Sequence, residues 1–489
     1  MKSDKLSDAI GLVEESMIEE ANRARQIVYR GRRWWIQWIA IAACLCLIAA
    51  GVFSLPRLSP KDTTDPSDPS VSTSSTATTT TGKHPAVSKD MVVSQAAVPT
   101  NSGFDSWSAL RQGNYSKSFS AFYDKMLKQF LIGEAGENRV FSPANIFVSL
   151  AMLAETADGN SRQQILGVLG SENMQDVRKQ AQLLWETNYY DEDVVASEMA
   201  NSLWLNNTLW YKKDLLDTLA KHYYTSSFSG EMGDSAYNAL LQNWINDKTG
   251  GLLQEQISGV RMDPSTVLNL VSTIYFGARW VDEFDPEKTV QGVFHSAAGD
   301  VSCEFMSYGY ERSLEYVYFG NGYKALSLQL GTYSMYFFLP DEDISVNDML
   351  RNNNLCDMLI YDQNSSIKDE SNHFWDVKLS VPKFDVSGDA NLKEGLQKLG
   401  VTDIFESNLA DFSPMLVEAD GVAVSSIQHA ARVSIDEEGC TAAAFTRTDY
   451  GMGAPEANGS LDFILDRPFV FCIGDGHDSL LFAGVVEQP

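Results

Sequence analysis

The sequence predicts a domain of the α+β class, with helices concentrated in its first half and strands in its second half. Apolar residues recur at helical spacing between Phe119 and Leu131, which indicates an amphipathic helix at the start of the domain. Residues 267–276 form a nearly continuous run of β-branched and aromatic residues, typical of a strand covered on both faces. A hydrophobic fraction of 44% is ample for the core that such a domain needs.

Two further helices have recognisable starts. Ser142 and Pro143 fit the N-cap and first position of a helix that runs to about residue 156. Because this helix is apolar on nearly all sides, we expect it to be buried. Ser161 and Gln164 form a capping box that predicts the start of the next helix.

The second half is dominated by predicted strands. Residues 326–330 alternate between apolar and polar and turn at Gly331 into residues 334–339, which predicts a hairpin. Residues 427–435 alternate as well, with His429 on the apolar face. A single histidine on such a face is more often a hydrogen-bonded core residue than a base or a ligand, and we expect the former.

The N-terminal 55 residues predict a membrane anchor. Residues 1–33 are polar, with acids early and arginines late, and the 22 residues 34–55 carry no charge. As a helix rising about 1.5 Å per residue they span roughly 33 Å, enough for a bilayer core. The arginines before the span place residues 1–33 in the cytoplasm and the rest outside the cell. A cleaved signal peptide and a lipid-modified Cys44 are the alternatives, and both also export the bulk of the chain.

Residues 56–102 predict a disordered stalk. Thirteen of the twenty residues from 62 to 81 are serine or threonine, with two prolines among the remainder. Such a segment cannot bury enough apolar surface to order itself. Residues 103–489 then form one predicted folded domain.

Composition and motifs exclude several functions. The net charge of −28 argues against nucleic-acid binding and against docking flat on anionic lipid. The six cysteines lack metal-type spacing, so we expect no metal, no cofactor and buried free thiols. The sequence holds neither a G-x-S-x-G elbow nor an H-E-x-x-H pair, so it does not predict an enzyme.

Residues 433–468 hold the most informative stretch of the chain. Glu437, Glu438 and Gly439 follow a strand-like start, and small residues then occupy the even positions. Because alternate residues of an extended chain share a face, this segment fits either an exposed loop or a strand in a tight sheet. The small residues at even positions are Cys440, Ala442, Ala444, Thr446 and Thr448.

This stretch resembles the reactive-loop hinge of the serpins. Other segments between residues 115 and 489 also resemble serpin motifs, and they occur in the same order along the chain as in that family. Residues 138–143, Asn-Arg-Val-Phe-Ser-Pro, resemble the segment before the buried shutter helix. Residues 270–280 are similar to the central strand that ends in the breach tryptophan, here Trp280. Residues 468–471 and 481–486 match the C-terminal strands.

The resemblance implies the serpin fold, with a large antiparallel central sheet, two smaller sheets, eight or nine helices and an exposed reactive loop. It also implies a suicide inhibitor of serine, or sometimes cysteine, proteases. The protease cleaves the loop and forms an acyl-enzyme, and the hinge then inserts into the sheet as an extra strand and distorts the trapped enzyme. The implied hinge consists of Glu437, Glu438, Gly439, Cys440, Thr441, Ala442, Ala443 and Ala444.

The chain departs from the family pattern at several positions. Cys440 stands where threonine or serine is usual, either as a small inert residue, which we favour, or as an oxidisable switch. Ser272 replaces the usual shutter asparagine, and we expect Asn145 to compensate near Ser142 and His429. Looser control of insertion is the alternative. The loop is also several residues longer than is typical.

The sequence brackets the cleavage site. Counting from the hinge places it between Met452 and Gly453 or between Gly453 and Ala454, whereas counting back from Pro468 places it near Ala457. No basic residue lies from Tyr450 to Ala457, which disfavours a trypsin-like target. Elastase-like or subtilisin-like proteases are favoured.

We therefore expect a monomeric, single-pass protein of a bacterial cell membrane, with an extracellular inhibitory domain that forms a covalent complex with a serine protease. A non-inhibitory binding or adhesion module of the same fold is the first alternative. The small hinge residues Ala442, Ala443 and Ala444 argue against it. A surface hydrolase is the second alternative, and it would need a nucleophile that the sequence does not show.

Overall fold

A computed structural model describes residues 44–50, 53–54, 92–94, 96, 115–191, 195–249, 259–308, 312–359, 373–418, 421–425, 427–440, 456–475 and 479–489. For residues 44–50 and 53–54 it describes the backbone alone. The predicted cytoplasmic segment and most of the predicted anchor and stalk lie outside the described residues. So do the predicted site residues Thr441, Ala442, Ala443, Ala444, Tyr450, Met452, Gly453 and Ala454.

Within these residues the chain forms nine α-helices, which agrees with the predicted eight or nine. They are α1 (Ser116–Leu131), α2 (Pro143–Thr156), α3 (Gly159–Leu169), α4 (Met174–Thr187), α5 (Lys213–His222), α6 (Ser235–Lys248), α7 (Val346–Asn352), α8 (Cys356–Leu359) and α9 (Lys393–Lys398). Helix α2 is buried along its whole length, as its apolar sequence predicts. Its N-cap is Ser142, whose hydroxyl accepts a hydrogen bond from Asn145 N at 3.2 Å.

The predicted capping box of α3 is wrong. The helix begins at Gly159 after Asp158, two residues before Ser161. Ser161 Oγ instead accepts a hydrogen bond from Asp411 N at 3.2 Å, and Gln164 Oε1 accepts one from Thr402 N at 2.8 Å. Both side chains therefore serve contacts to the segment before β16, defined below, which local sequence could not indicate.

The chain forms twenty-one strands within the described residues. They are β1 (Cys44–Ala50), β2 (Phe53–Ser54), β3 (Val92–Ser94), β4 (Arg139–Phe141), β5 (Tyr190–Asp191), β6 (Val195–Asn206), β7 (Thr225–Gly230), β8 (Leu268–Arg279), β9 (Val290–Ser296), β10 (Gly299–Met306), β11 (Ser313–Gly320), β12 (Tyr323–Leu330), β13 (Tyr333–Pro340), β14 (His373–Pro382), β15 (Phe384–Asn391), β16 (Ala423–Val424), β17 (Ile427–Ile435), β18 (Gly439–Cys440), β19 (Ser460–Ile464), β20 (Phe469–Gly474) and β21 (Leu480–Val486).

The first sheet has the order β15-β17-β1-β8-β6-β7-β3, with β18 pairing to β8 and β5 to β6. All its pairs are antiparallel except β6 with β7. The second sheet has the order β4-β21-β20-β13-β12-β11-β14-β10-β9, with β19 parallel to β14. The α+β class and the large, mainly antiparallel sheet are thus confirmed.

The two smaller sheets of the prediction are not separate. Strand β14 pairs with β11 through residues 373–377 and with β10 through residues 381–382, which joins their strands into one ten-stranded sheet. The remaining described sheet has two strands, β2 and β16. Sequence periodicity could not show this joining, because both partners of β14 lie more than fifty residues away along the chain.

Strand β1 falls within the run predicted as a membrane anchor. Its backbone pairs with β8 on one side and with β17 on the other, so that Ile48 lies between Ser272 and His429. In the part of the chain that is described, no helix has the length and apolarity needed to cross a bilayer. A segment cannot lie in this sheet and in a membrane at the same time, so the two arrangements exclude each other. The anchor stays a prediction.

Helix α2 lies against both large sheets, in contact with β8 of the first and β21 of the second. Its Phe147 ring packs edge to face against Phe119 at 5.1 Å and Phe122 at 5.2 Å, both from α1. Each such pair contributes about 0.5–1.5 kcal/mol beyond area burial. This packing fixes the helix beneath the strands that carry the candidate site.

Candidate functional site

The chain leaves β17 in a tight turn that places Gly439 against β8. Asp436 Oδ1 accepts hydrogen bonds from Glu438 N at 2.9 Å and Gly439 N at 3.2 Å. Gly439 has φ +144°, and a Cβ at this position would lie 2.3 Å from Ala278 O. Because no larger residue fits so close to the neighbouring strand, the glycine lets the hinge begin flush against β8.

Glu437 is held from several directions. Its carboxylate lies 2.8 Å from Lys383 Nζ and accepts a hydrogen bond from Thr289 Oγ1 at 2.7 Å. Burial raises the pKa of Glu437, but the hydrogen bonds from Lys383 and Thr289 outweigh it and hold that pKa below its usual value. Burial lowers the pKa of Lys383, and its contacts with Glu437 and Glu304 outweigh that effect and raise it overall. Glu437 and Lys383 are therefore both favoured in their charged forms, and their ion pair stabilises the start of the hinge.

Trp280 lies under the same turn and is 1% exposed. Its indole Nε1 donates to Asp436 O at 2.9 Å, and its backbone N donates to Glu438 O at 3.1 Å. Glu438 is also paired with Arg279 at 3.4 Å. The tryptophan thus ties the end of β8 to the start of the loop, at the place where the sequence predicted a breach residue.

Strand β18 lies on the edge of β8 that β6 does not use. Gly439 is opposite Arg279 and Cys440 is opposite Ala278, while Val195 of β6 pairs with Ala278 from the other edge. If this register continued, residues 442–448 would lie opposite residues 276–270 of β8. Those are the positions that β1 occupies between β8 and β17. We call this strand position, bounded by β8 and β17, the slot.

Ser142 and His429 are brought together beside the slot. Ser142 N donates to His429 Nε2 at 3.1 Å, and the imidazole packs edge to face on Phe141 at 6.4 Å. His429 is 1% exposed, and burial lowers the pKa of His429 to about 3. The histidine is therefore neutral at physiological pH and accepts a hydrogen bond through Nε2.

Ser272 does not join this group. Its hydroxyl donates to Asn201 Oδ1 at 2.6 Å, and Asn201 Nδ2 donates to Tyr223 O at 2.8 Å. Asn145 does not compensate as expected, since neither atom of its buried amide has a hydrogen-bond partner within the described structure. The polar contacts near the slot therefore form two separate groups, one through Ser142 and His429 and one through Ser272 and Asn201.

Cys440 is buried and disulfide-bonded, with a partner outside the residues whose side chains are described. The expectation of a free thiol was therefore wrong at this position. Cys303, Cys356 and Cys472 are free. In the part of the chain that is described, no group of three histidine, cysteine or acidic residues is placed to hold a metal ion.

Of the bracketed cleavage residues, Ala457 is described and is exposed. The chain re-enters the second sheet directly after it, where Asn458 N donates to Phe374 O at 2.8 Å. Sequence reasoning missed Asn201, Lys383, Thr289 and Asp436. A buried polar position within the apolar β6 could have indicated Asn201, whereas nothing local distinguishes Lys383 or Thr289 from other surface residues.

Comparison with known proteins identifies the family of the chain. The family model for serpins, described as serine protease inhibitors, matches residues 117–489. An uncharacterized serpin-like protein of Methanosarcina acetivorans is 29% identical over 374 residues, covering 73% of this chain and 83% of the relative. Alpha-1-antitrypsin 1-4 of Mus musculus is 28% identical over 362 residues, covering 72% of this chain and 83% of the relative. The native crystal structure of the thermophilic serpin tengpin superposes with a TM-score of 0.64 at 24% identity, covering 81% of this chain and 96% of tengpin.

The chain belongs to the serpin family, because the family model spans most of its length. It therefore falls in a class of protease inhibitors that are not enzymes.

Proposed function

We propose that the chain is a suicide inhibitor of extracellular serine proteases, with elastase-like or subtilisin-like enzymes as its targets. The cleaved loop would insert into the slot as an extra strand and trap the acyl-enzyme as a covalent complex. The chain would act as a monomer, without a cofactor.

The observation that carries this proposal is the position of β18. Gly439 and Cys440 lie as the first two residues of a strand on the edge of β8 that β6 does not use, directly before the slot. The small residues Ala442 and Ala444 follow at positions that would face inward in the same register. Strand β1 pairs with both β8 and β17, so the slot holds one strand, and the cleaved loop would take this position in place of residues 44–50.

Insertion of the cleaved loop into the slot is expected to be energetically favourable. Roughly a dozen new ladder hydrogen bonds at about 1 kcal/mol net each give a driving force on the order of 10 kcal/mol before packing. A bulky residue on the inner face would reduce it by roughly 1–3 kcal/mol through overpacking. The proposal therefore requires small inner residues along the hinge, which the even positions provide.

The test uses the full chain in detergent micelles, incubated with subtilisin, pancreatic elastase or trypsin and run on denaturing gels. We expect a complex that resists denaturation with subtilisin or elastase and a clipped loop with trypsin. Mass spectrometry of the released peptide should place the cleaved bond between Tyr450 and Ala457. The proposal fails if every protease clips the loop and leaves no covalent complex.

A matched pair of variants tests the inserting face. Ala444→Arg puts a long charged side chain on the inner face of the inserted strand, whereas Ala443→Arg puts the same side chain on the other face. We expect Ala444→Arg to become a cleaved substrate and Ala443→Arg to keep trapping the protease. Equal behaviour of the two variants would contradict insertion in this register.

We also propose that residues 34–55 anchor the protein in a cell membrane, with the N-terminus in the cytoplasm and the inhibitory domain outside. The uncharged 22-residue run and the arginines before it support this proposal. Membrane fractionation under alkaline extraction, compared with a variant lacking residues 34–55, tests it. Release of the full chain into the soluble fraction would contradict it.

A further inference from the structure

An exposed apolar patch lies on the second sheet where β11 and β14 meet. Tyr316 lies directly opposite Phe374, and their rings are 5.5 Å apart, edge to face. Leu314 is on the same face of β11, two residues from Tyr316. The exposed fractions are 47% for Tyr316, 37% for Phe374 and 36% for Leu314. We call these three residues the aromatic patch.

The aromatic patch lies beside the returning end of the reactive loop. Asn458 N donates to Phe374 O at 2.8 Å, and Asp376 N donates to Gly459 O at 2.9 Å. Strand β19 continues from there in parallel with β14, with Ser460 opposite Asp376. Phe374 is therefore the direct strand neighbour of Asn458, which follows the bracketed cleavage residues.

Hydrogen bonds and side-chain packing connect the patch to the returning end of the loop. Arg312 Nη1 donates to Asp376 O at 3.0 Å, and its Nη2 donates to Asp462 Oδ1 at 3.1 Å, so this side chain links β14 to β19. On the opposite face of β14, Trp375 packs on Phe319 at 5.7 Å. A Cβ at Gly459 would lie 3.1 Å from the Trp375 ring, so the loop end lies close against that side chain. The aromatic patch is therefore held at a defined place relative to Asn458 and Gly459, which follow the predicted cleavage residues.

We propose that the aromatic patch is a secondary docking surface for the target protease, contacted while the enzyme holds the uncleaved loop. This inference rests on the proposed inhibitory function and deepens it. An enzyme that binds residues next to Asn458 comes within one or two strand spacings of the patch, about 5–10 Å. Most proteases are several times wider than that distance, so the surface of an enzyme bound there can reach the aromatic patch.

The composition of the patch fits a protein partner. Exposed aromatic residues are enriched at the energetically important centres of protein interfaces. The complementary surface on the protease would be apolar and would lie beside its active-site cleft, on the side that binds the residues after the cleaved bond. Contacts with the patch would discriminate among proteases that bind and cleave the loop itself equally well.

Trp210 supplies a matched control. It is 56% exposed and follows the end of β6 at Asn206. The opposite end of β6, at Val195, pairs with Ala278 beside Cys440. Trp210 therefore lies at the end of the first sheet remote from the hinge, where a protease bound to the uncleaved loop would not reach it.

The experiment measures association rate constants and inhibition stoichiometry of the full chain in detergent with subtilisin and pancreatic elastase. The double variant Tyr316→Ser with Phe374→Ser removes the aromatic surface, while Tyr316→Phe with Phe374→Leu retains an apolar surface. We expect the serine pair to associate roughly tenfold more slowly with at least one protease that the parent inhibits. Its stoichiometry should be unchanged, because insertion occurs elsewhere.

The phenylalanine–leucine pair and Trp210→Ser should stay within about twofold of the parent. If the serine pair unfolds, Leu314→Asp places a charge on the same surface and should slow association in the same way. The proposal is overturned if the patch variants match the parent for every inhibited protease, or if Trp210→Ser slows association equally. A parent that traps neither protease would instead refute the proposed function itself, and the docking proposal would fall with it.

Discussion

His429 makes the stability of the domain depend on pH in a way that can be worked out from its surroundings. It lies on β17 beside the slot and is fully buried, and burial lowers its pKa to about 3. Its Nε2 accepts a hydrogen bond from Ser142 N, which a protonated ring could not do. The folded state therefore requires a neutral imidazole.

The direction of the effect follows from comparing the two states. The unfolded chain takes up a proton on His429 below a pKa of about 6.5, whereas the folded chain excludes that proton until about pH 3. The stability that depends on a neutral His429 is thus fully present above about pH 6.5 and is lost as the pH falls from 6.5 to 3. The loss from this residue is about 2 kcal/mol at pH 5, with an upper limit of about 5 kcal/mol.

The assay compares urea unfolding at pH 7.5 and pH 5 for the parent, His429→Gln and His295→Gln. Glutamine can still accept from Ser142 N but does not titrate, so His429→Gln should lose about 2 kcal/mol less than the parent over this pH range. His295 is exposed, so its variant should follow the parent. The reasoning is refuted if the parent and His429→Gln lose the same free energy between the two pH values.

Four further predictions concern the hinge and the slot. Lys383→Met should destabilise the domain by about 1–3 kcal/mol, because it leaves the 14% exposed Glu437 carboxylate without its cation. Lys398→Met, on the surface, is the control. Equal midpoints of urea unfolding for the two variants would contradict the prediction. Lowering the pH through the depressed pKa of Glu437 should remove the same stabilisation in the parent. Gly439→Ala should reduce both the stability of the domain and protease trapping more than Gly400→Ala. Both glycines have positive φ, but only at Gly439 would the added Cβ lie 2.3 Å from a backbone atom, Ala278 O. Similar losses in the two variants would mean that backbone strain alone matters. Because residues 34–55 are proposed to anchor the protein in a membrane and to leave the slot open, removing residues 1–55 should leave the thermal midpoint of unfolding, measured in detergent micelles, unchanged. A fall on the order of 10 °C would mean that β1 fills the slot and would contradict the membrane anchor.

Much of the fold could be predicted from the sequence, because the relevant signals are local. The buried helix α2 followed from an apolar run with Ser142 as its cap, and β8 followed from its β-branched run. The hinge could be recognised because small residues at alternate positions make a pattern visible within a dozen residues. Where tertiary partners compete for a side chain, the local signal failed, as it did for Ser161 at the start of α3.

The sequence by itself determined the class of the domain and the buried helix beneath the sheet, and it predicted the hinge, because periodicity, capping and residue size act over a few neighbours. The tertiary structure alone decided which residues hold the hinge and where its strand would run. Lys383 and Thr289 reach Glu437 from segments 54 and 148 residues away, and Asn201 reaches Ser272 across 71 residues. Contacts over such separations depend on strand order and register, which no local pattern encodes, so they appear only when the sheet is assembled.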